Sequence, residues 1–217
     1  MGLYFDPDLF LQEPVLGIVR GISPKSLERV LDAAGDAGLK HLEITLNTDG
    51  AIEMIKSALA SHGNSICLGA GTVRTLDQAK EALNAGARFL VSPALNEEVA
   101  TFCKNKKIPY FPGALTPGEI EKAWRTGAAM VKVFPSSLFG PAYFKEIKGP
   151  LQDIPLMAVG GVTPENIPEY FSAGASAVAV GGSVFSVSRM ENGEYSRIHN
   201  HLKEILFAVK NFLNTMK

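Results

Sequence analysis

Short apolar runs alternate with amphipathic stretches along nearly the whole chain. The runs are rich in β-branched residues and too continuously apolar for strands with one face in solvent, so they predict strands that are buried on both faces. The amphipathic stretches between them have the spacing of helices that cover such a sheet. The alternation therefore predicts repeated strand–helix units around a parallel sheet.

The pattern predicts eight strands and eight helices. The predicted strands are Val15–Val19, His41–Thr45, Ile66–Gly69, Phe89–Ser92, Tyr110–Pro112, Met130–Phe134, Leu156–Val159 and Ala177–Val180. The predicted helices are Pro24–Ala37, Gly50–Ser61, Leu76–Ala85, Glu97–Lys104, Pro117–Arg125, Pro141–Lys148, Pro164–Ser172 and a closing helix Tyr195–Met216. Several helices begin at Ser-Pro or Thr-Pro and end near Ala-Gly, which are common start and stop signals.

Eight strand–helix units in 217 residues predict a (β/α)₈ TIM barrel, with residues 1–217 forming a single domain. A doubly wound open sheet is the alternative, but it would usually have fewer strands at this length, and no G-x-G-x-x-G follows the first strand. Catalytic side chains of such barrels lie at the carboxyl ends of the strands. The residues that end each apolar run are therefore the candidates for a site.

Composition and charge narrow the class of protein. The chain is 46% hydrophobic and 20% charged, which is typical of a packed globular protein, and its net charge of −1 favours neither nucleic acid nor an anionic membrane as a partner. We find no apolar run of about 18 residues and no signal peptide pattern. Cys67 and Cys103 lack C-x-x-C spacing, so we expect buried thiols and a reduced cytoplasm.

Two ionisable residues interrupt predicted strands. Lys132 lies within Met130–Phe134, where burial would lower its pKa and leave a nucleophilic amine, as Schiff-base chemistry requires. The structural alternative is a lysine that reaches the barrel rim or pairs with a carboxylate. Glu43 lies within the second strand and could move protons to and from a carbinolamine and a substrate hydroxyl. Its structural alternative is a counter-ion for Lys132 or Arg20.

Several strand ends carry groups that suit an anion. Arg20 ends the first strand with a planar cation that fits a carboxylate or phosphate, although a salt bridge at the rim would also explain it. The phrase Gly69–Val73 offers backbone freedom and the Thr72 hydroxyl. Gly160-Gly161 and Gly181-Gly182-Ser183 end the last two strands, where TIM barrels commonly bind phosphate through backbone N–H groups. Two tight turns that need glycine for packing are the alternative there.

The histidines do not form a metal-binding pattern. His41 begins a strand, His62 lies in a predicted loop, and His199 and His201 point in different directions on the last helix. We therefore expect neither a metal nor another cofactor.

Together these residues resemble the 2-keto-3-deoxy-6-phosphogluconate aldolase family and its relative that acts on the galactonate epimer. The matching phrases are Ile18–Ile22, Glu43–Leu46, Gly69–Val73, Val91–Pro93, Phe111–Gly113, Lys132–Pro135, Gly160–Val162 and Gly181–Ser183. The resemblance implies a phosphorylated keto acid as substrate, pyruvate and D-glyceraldehyde 3-phosphate as products, and a homotrimer. It also implies that Lys132 forms the Schiff base, that Glu43 is the acid and base, and that the substrate is bound by Arg20, Thr72, Pro93, Gly160, Gly161, Gly181, Gly182 and Ser183.

Two positions bear on which epimer is bound. Asn47 stands where some gluconate-type members have arginine, and Val159 stands where many have threonine. Both resemble the galactonate-type pattern, as does the stretch Phe134–Pro141. Because the two substrates differ at C4, the loss of a hydroxyl partner at the pocket wall could change the preferred epimer. The hypothesis is a pocket that accepts the galactonate form or both.

Three other functions fit part of the pattern. A phosphosugar isomerase, epimerase or synthase on the same barrel would explain the glycine turns, but it gives Lys132 and Glu43 no paired role. A sugar-phosphate sensor would keep the pocket without turnover. A 4-hydroxy-2-oxoglutarate aldolase would use the same lysine on a substrate with a carboxylate in place of the phosphate.

Overall fold

Strands and helices alternate through the computed structural model, which describes residues 3–216. The strands are β1 (Val15–Val19), β2 (His41–Thr45), β3 (Cys67–Gly71), β4 (Leu90–Val91), β5 (Tyr110–Phe111), β6 (Gly113–Ala114), β7 (Val131–Val133), β8 (Leu156–Val159) and β9 (Ala177–Val180). The helices are α1 (Pro7–Gln12), α2 (Pro24–Ala37), α3 (Ala51–His62), α4 (Leu76–Asn84), α5 (Glu97–Lys106), α6 (Pro117–Arg125), α7 (Gly140–Lys148), α8 (Ile167–Ser172), α9 (Val187–Glu191) and α10 (Tyr195–Thr215), with a 3₁₀ helix at Ser136–Leu138.

The strands form one parallel sheet in the order β5-β4-β3-β2-β1-β9-β8-β7-β6. The two ends of this order, β5 and β6, are separated in the chain by Pro112 alone, so the sheet closes on itself. Proline has no N–H to donate to a neighbouring strand, so the predicted fifth strand ends at Phe111, and Gly113–Ala114 forms a ninth strand that was not predicted. The predicted TIM barrel is confirmed.

Some predicted boundaries were wrong. The third strand is Cys67–Gly71 rather than Ile66–Gly69, because Ala70 and Gly71 continue the ladder against Ile44 and Thr45. The fourth is shorter than Phe89–Ser92, and the sixth shorter than Met130–Phe134. The helix predicted from Pro164 begins only at Ile167, because the Asn166 side chain accepts the Thr163 N–H and closes a turn first. The helix predicted from Gly50 begins at Ala51.

Two short helices were not predicted. α1 is capped by Asp6, whose carboxylate accepts the N–H groups of Asp8 and Leu9 at 2.9 and 3.3 Å. α9 is capped by Ser186, which accepts the Arg189 N–H at 3.3 Å, in a stretch where only a closing helix was expected. With six and five residues, these helices are too short to show a helical period in the sequence.

The amino-terminal half of the barrel interior is filled by a cluster of apolar side chains, which we call the aromatic floor. Its buried members are Phe10, Leu16, Cys67, Phe89, Val91, Phe111, Met130, Met157, Val159, Ala177 and Ala179, with Phe5 packed against them. Phe89 and Phe111 meet edge to face at 5.8 Å between ring centroids. The carboxyl ends of the strands are therefore where the interior opens.

Two expectations drawn from composition concern the cysteines and membrane-spanning helices. Cys67 and Cys103 are free and buried, as predicted. Among residues 3–216, no helix combines the length and the apolar composition needed to cross a bilayer.

Candidate active site

A cavity of about 530 Å³ lies at the carboxyl ends of the strands, above the aromatic floor. Its volume is in the range of small-molecule sites. Every predicted site residue lines it: Arg20, Glu43, Asn47, Thr72, Pro93, Lys132, Val159, Gly160, Gly161, Gly181, Gly182 and Ser183. A larger cavity of about 960 Å³ lies at the opposite end, beside α1 and α10, but neither Lys132 nor Glu43 lines it. The chemistry is therefore concentrated in the smaller cavity.

Lys132 lies in the middle of β7 and is 8% exposed. Its Nζ is 5.2 Å from the centroid of the Phe134 ring. Burial lowers the pKa of Lys132; the Glu43 charge opposes this shift, and the Arg20 charge adds to it. The side chain does not reach the rim to escape desolvation, so its neutral amine form is favoured more than in an exposed lysine.

Glu43 lies on β2 and is fully buried. Burial raises its pKa from 4.5 to about 7, and the nearby Lys132 partly offsets the rise. Neither of its carboxyl oxygens has a hydrogen-bond partner among the residues that the structure describes. Glu43 and Lys132 thus shift each other's pKa without a direct hydrogen bond, which leaves the carboxyl group free to exchange a proton with a third group.

The pairing of a buried amine with a buried carboxyl group defines what the cavity can do. An amine with a lowered pKa attacks carbonyl carbon, and a carboxyl group that titrates near pH 7 both donates and accepts protons. Two titratable groups with opposed environments are a common acid and base arrangement in enzymes.

Arg20 follows β1 at the cavity mouth and is exposed. No carboxylate within residues 3–216 forms a salt bridge with it, so the interpretation as a rim salt bridge is not supported. The next residue, Gly21, has φ +71° and donates its N–H to Thr48 Oγ1 at 2.9 Å. The guanidinium is therefore available to an anion in the cavity.

Thr72 follows β3 with φ +56°, a value that β-branched residues rarely adopt. Such a conformation costs about 1–3 kcal/mol and persists only where its surroundings enforce it. The support behind Thr72 is a buried polar network that the sequence did not reveal: Tyr110 donates to Ser92 Oγ at 2.8 Å, and Ser92 donates to the Val73 carbonyl at 2.5 Å. This network holds the segment that presents Thr72 and Pro93 to the cavity.

The two glycine turns differ in what they require. Gly160 and Gly161 both have positive φ, and a Cβ on Gly161 would lie 2.7 Å from Ser137 Cβ, so this turn needs glycine for backbone and packing reasons. A Cβ on Gly182 would meet nothing within 4 Å. The internal bonds of this second turn come from the N–H groups of residues 184 and 185, which both donate to the Gly181 carbonyl. The N–H groups of residues 182 and 183 take no part in those two hydrogen bonds.

The remaining predicted residues differ in exposure. Asn47 is exposed at the mouth, whereas Val159 is 3% exposed and belongs to the wall where the cavity meets the aromatic floor.

The cavity is also lined by residues that the sequence interpretation missed: Ile18, Thr45, Phe134, Val162, Ala179, Phe185, Ser186 and Val187. Thr45 and Phe134 follow Glu43 and Lys132 by two residues, so the period of a strand could have found them.

None of the four histidines is among the residues that line this cavity. His41 contacts the aromatic floor, with its ring 4.9 Å from that of Phe10. His62 ends α3 rather than lying in a loop, and it pairs with Asp32 at 3.0 Å. Within residues 3–216, no group of three or more His, Cys, Asp or Glu side chains is placed to hold a metal ion.

Comparison with known proteins places this geometry in a family. The family model for KDPG and KHG aldolase matches residues 10–201. The chain belongs to this aldolase family. Its members are lyases, so the sensor and isomerase interpretations are set aside.

Two curated relatives are named for the galactonate and the gluconate form of the substrate. The 2-dehydro-3-deoxy-6-phosphogalactonate aldolase of Escherichia coli (strain K12) is 35% identical over 173 residues, which cover 79% of this chain and 84% of the relative. The 2-dehydro-3-deoxy-phosphogluconate aldolase of Treponema pallidum (strain Nichols) is 35% identical over 188 residues, which cover 83% and 89%. The chain is equally identical to both relatives.

Two solved structures share the fold of this aldolase. The native KDPGal structure superposes with a TM-score of 0.88 at 30% identity, over 98% of this chain and all of that one (100%). KDPG aldolase from Legionella pneumophila, with pyruvate captured at low pH as a covalent carbinolamine intermediate, superposes with a TM-score of 0.85 at 25% identity. The match covers 93% of this chain and 98% of that one. A carbinolamine is the adduct of an amine and a ketone, which is the product expected of a reactive lysine.

Proposed function

We propose that this aldolase cleaves a 2-keto-3-deoxy-6-phospho sugar acid, in the gluconate or galactonate form, to pyruvate and D-glyceraldehyde 3-phosphate through a Schiff base on Lys132. The observation that carries the proposal is the buried amine of Lys132 beside the buried carboxyl group of Glu43, in one cavity with the exposed guanidinium of Arg20. The names of the relatives supply the substrate class.

Binding precedes chemistry. Arg20 and Thr72 hold the keto acid carboxylate, with Pro93 beside them, and the turns Gly160-Gly161 and Gly181–Ser183 hold the phosphate with backbone N–H groups. The neutral Lys132 amine then adds to the C2 ketone and gives a carbinolamine. Glu43, protonated near its pKa of about 7, donates a proton to the leaving hydroxyl, so that water departs and a protonated imine forms.

The protonated imine is the electron sink for carbon–carbon cleavage. Glu43, now a carboxylate, accepts the proton of the C4 hydroxyl, the C3–C4 bond breaks, and its electron pair moves to the imine nitrogen. D-Glyceraldehyde 3-phosphate leaves, and an enamine of pyruvate remains on Lys132. Protonation at C3 and hydrolysis of the imine then release pyruvate and restore the amine.

Trapping with borohydride tests the lysine directly. Incubation with pyruvate and sodium borohydride should reduce the imine and add one pyruvate-derived mass at Lys132, and Lys132→Ala should lose both the adduct and turnover. Lys145→Ala, which removes an exposed lysine on α7, is the matched control and should keep both. A wild-type protein that forms no adduct and releases no pyruvate from either epimer would refute the proposal.

We further propose that the pocket accepts the galactonate form, or both forms, because of Asn47 and Val159. Both residues line the cavity, and Val159 offers no hydrogen-bonding group to a substrate hydroxyl. The test is the ratio of kcat/KM for the two epimers, in the wild type and in Asn47→Arg/Val159→Thr. The double variant should shift this ratio toward the gluconate form, and an unchanged ratio would contradict the assignment.

A second substrate is favoured by the family description, which includes KHG aldolase. In 4-hydroxy-2-oxoglutarate a carboxylate replaces the phosphorylated end, so the imine chemistry would be the same while the glycine turns would bind less of the substrate. Relative kcat/KM values on the two substrate types decide between them. We expect the phosphorylated acid to be preferred.

The chain is also proposed to assemble as a homotrimer. Three large apolar side chains in the segment that follows β7 are exposed: Phe134 at 40%, Leu138 at 68% and Phe139 at 54%. Such a group is typical of a surface that another chain covers. Light scattering coupled to size exclusion should give the mass of three chains, and Leu138→Glu/Phe139→Glu should reduce it. A wild-type mass of one chain would contradict the proposal.

A further inference from the structure

The start of α2 is bound to a carboxylate from the far end of the chain. The Ser23 N–H donates to Glu191 Oε1 at 2.8 Å, and the Ser23 hydroxyl donates to Glu191 Oε2 at 2.8 Å. Ser23 is the N-cap residue of α2, yet its hydroxyl does not cap its own helix. This serine is therefore committed to Glu191, which is the last residue of α9.

Glu191 joins two segments of the proposed substrate site. Arg20 lies three residues before Ser23, and α9 follows the Gly181–Ser183 turn. β1 and β9, which lead into these segments, are neighbours in the barrel. α9 is itself tied to the turn, because the Arg189 guanidinium donates to the Ser183 carbonyl at 2.5 Å. The carboxylate of Glu191 thus fixes the Arg20 turn to the same helix that is bound to the second glycine turn.

The Arg20 turn is held on its other side by a buried threonine. Thr48 Oγ1 accepts the Gly21 N–H at 2.9 Å and lies 3.1 Å from Thr45 Oγ1, at the end of the strand that carries Glu43. Arg20 itself forms no salt bridge within residues 3–216. The segment that follows Arg20 is therefore fixed at two points, by Thr48 at the Gly21 N–H and by Glu191 at Ser23.

We propose that Glu191 is a positioning residue, which holds the turn after β1 so that the Arg20 guanidinium meets the carboxylate of the substrate. The inference rests on the proposed function, since it takes Arg20 to be the carboxylate ligand. The hydrogen bonds from Ser23 hold the pKa of Glu191 below its ordinary value; the bond from the N–H has the largest effect, the bond from the hydroxyl the next, and the nearby Lys25 contributes less. The side chain is therefore ionised at neutral pH, which suits an acceptor of two hydrogen bonds.

Three variants and one control test this role. Glu191→Ala removes both bonds and should raise KM about tenfold, the size expected when hydrogen bonds to a charged acceptor are lost, with kcat unchanged. Glu191→Gln can still accept from the Ser23 N–H and donate to its hydroxyl, so it should restore most of the affinity. Ser23→Ala removes one bond and should fall between them. The control is Glu194→Ala, which removes a nearby carboxylate paired with Arg197 and should leave KM unchanged.

Pyruvate distinguishes positioning of Arg20 from an effect on the phosphate end, because pyruvate retains the carboxylate and lacks the phosphate. In Glu191→Ala, the pyruvate concentration that gives half-maximal borohydride trapping should rise by about the same factor as KM, since one contact is weakened in both. A rise in KM with unchanged half-saturation by pyruvate would overturn the proposal, as would a loss of kcat at constant KM. If Glu191→Ala does not fold, the same two measurements on Ser23→Ala decide. Absence of any adduct in the wild type would instead refute the proposed function.

Discussion

Gly71 leaves the space that the Glu43 carboxyl group occupies. A Cβ placed on Gly71 would lie 2.3 Å from Glu43 Oε1 and 2.6 Å from its carboxyl carbon. Gly69, two residues earlier on the same face of β3, instead makes room for Phe89, whose ring would lie 2.3 Å from its Cβ. The two glycines of one strand therefore serve two different layers of the barrel interior.

This difference predicts different defects in two alanine variants. Gly71→Ala should displace the Glu43 carboxyl group and lower kcat about 100-fold, since a shift of about 1 Å in a reacting group has an effect of that size. Gly69→Ala should lower the free energy of unfolding by about 1–3 kcal/mol through overpacking against Phe89, with a much smaller effect on kcat. Steady-state kinetics and urea unfolding of both variants test the contrast. Equal kinetic defects would contradict it.

Replacement of Glu43 by its isosteric amide should separate binding of the ketone from proton transfer. Glu43→Gln removes the acid and base, and we expect kcat to fall about 10²- to 10⁴-fold. Borohydride should still trap pyruvate on Lys132, because the amine remains, although the adduct should form more slowly. A kcat within a few-fold of the wild-type value would show that another group moves the protons.

The titration of Lys132 should respond in opposite directions to its two charged neighbours. The Glu43 carboxylate favours the ammonium form, so Glu43→Gln should lower the pKa of Lys132 further. The Arg20 charge disfavours the ammonium form, so Arg20→Gln should raise this pKa. An NMR titration of the lysine side chain measures both shifts, with Arg197→Gln on the surface as the control. Shifts in the same direction would contradict the electrostatic account.

His41 predicts an acid-dependent loss of stability that does not involve the active site. Burial, with a smaller contribution from Lys40, lowers its pKa from 6.5 to about 4. As the pH falls below 6.5, His41 is protonated in the unfolded chain but stays neutral in the folded protein until about pH 4. The stability that the neutral, buried His41 contributes is therefore fully present above pH 6.5 and is lost as the pH falls from 6.5 to about 4. A pKa difference of this size corresponds to about 3 kcal/mol.

The variant His41→Phe keeps an aromatic ring against Phe10 and has no titration. Urea unfolding at pH 6.5 and pH 4.5 should therefore show a smaller loss of stability in His41→Phe than in the wild type. The same loss in both proteins would show that other groups dominate acid unfolding.

The barrel and its site could be predicted from the sequence because both follow from local pattern. Apolar runs and Ala-Gly helix ends mark the strand–helix units, and a closed parallel barrel brings strand ends together whatever the details of packing. Lys132 and Glu43 stand out because they interrupt apolar runs. No three-dimensional information was needed to place them in one cavity.

The contacts that position the site depend on packing between distant segments and have no local signature. Ser23 and Glu191 are 168 residues apart, and Ser23 alone resembles an ordinary helix cap. The network of Tyr110 and Ser92 joins a residue of β5 to the residue that follows β4, 18 positions apart in the chain. Pro112 was predicted to end a strand, but closure of the barrel makes the chain resume a strand after it.

The aromatic floor closes the interior on the amino-terminal side of the cavity, so small molecules reach the cavity from the carboxyl ends of the strands. In the proposed reaction the keto acid enters and both products leave by the same route. Pyruvate is still bonded to Lys132 when the C3–C4 bond breaks, so the aldehyde has to depart before water can free the pyruvate. In the reverse direction the order of binding is therefore fixed as well. Pyruvate binds first and forms the enamine on Lys132, and the aldehyde binds second and is attacked by the enamine carbon.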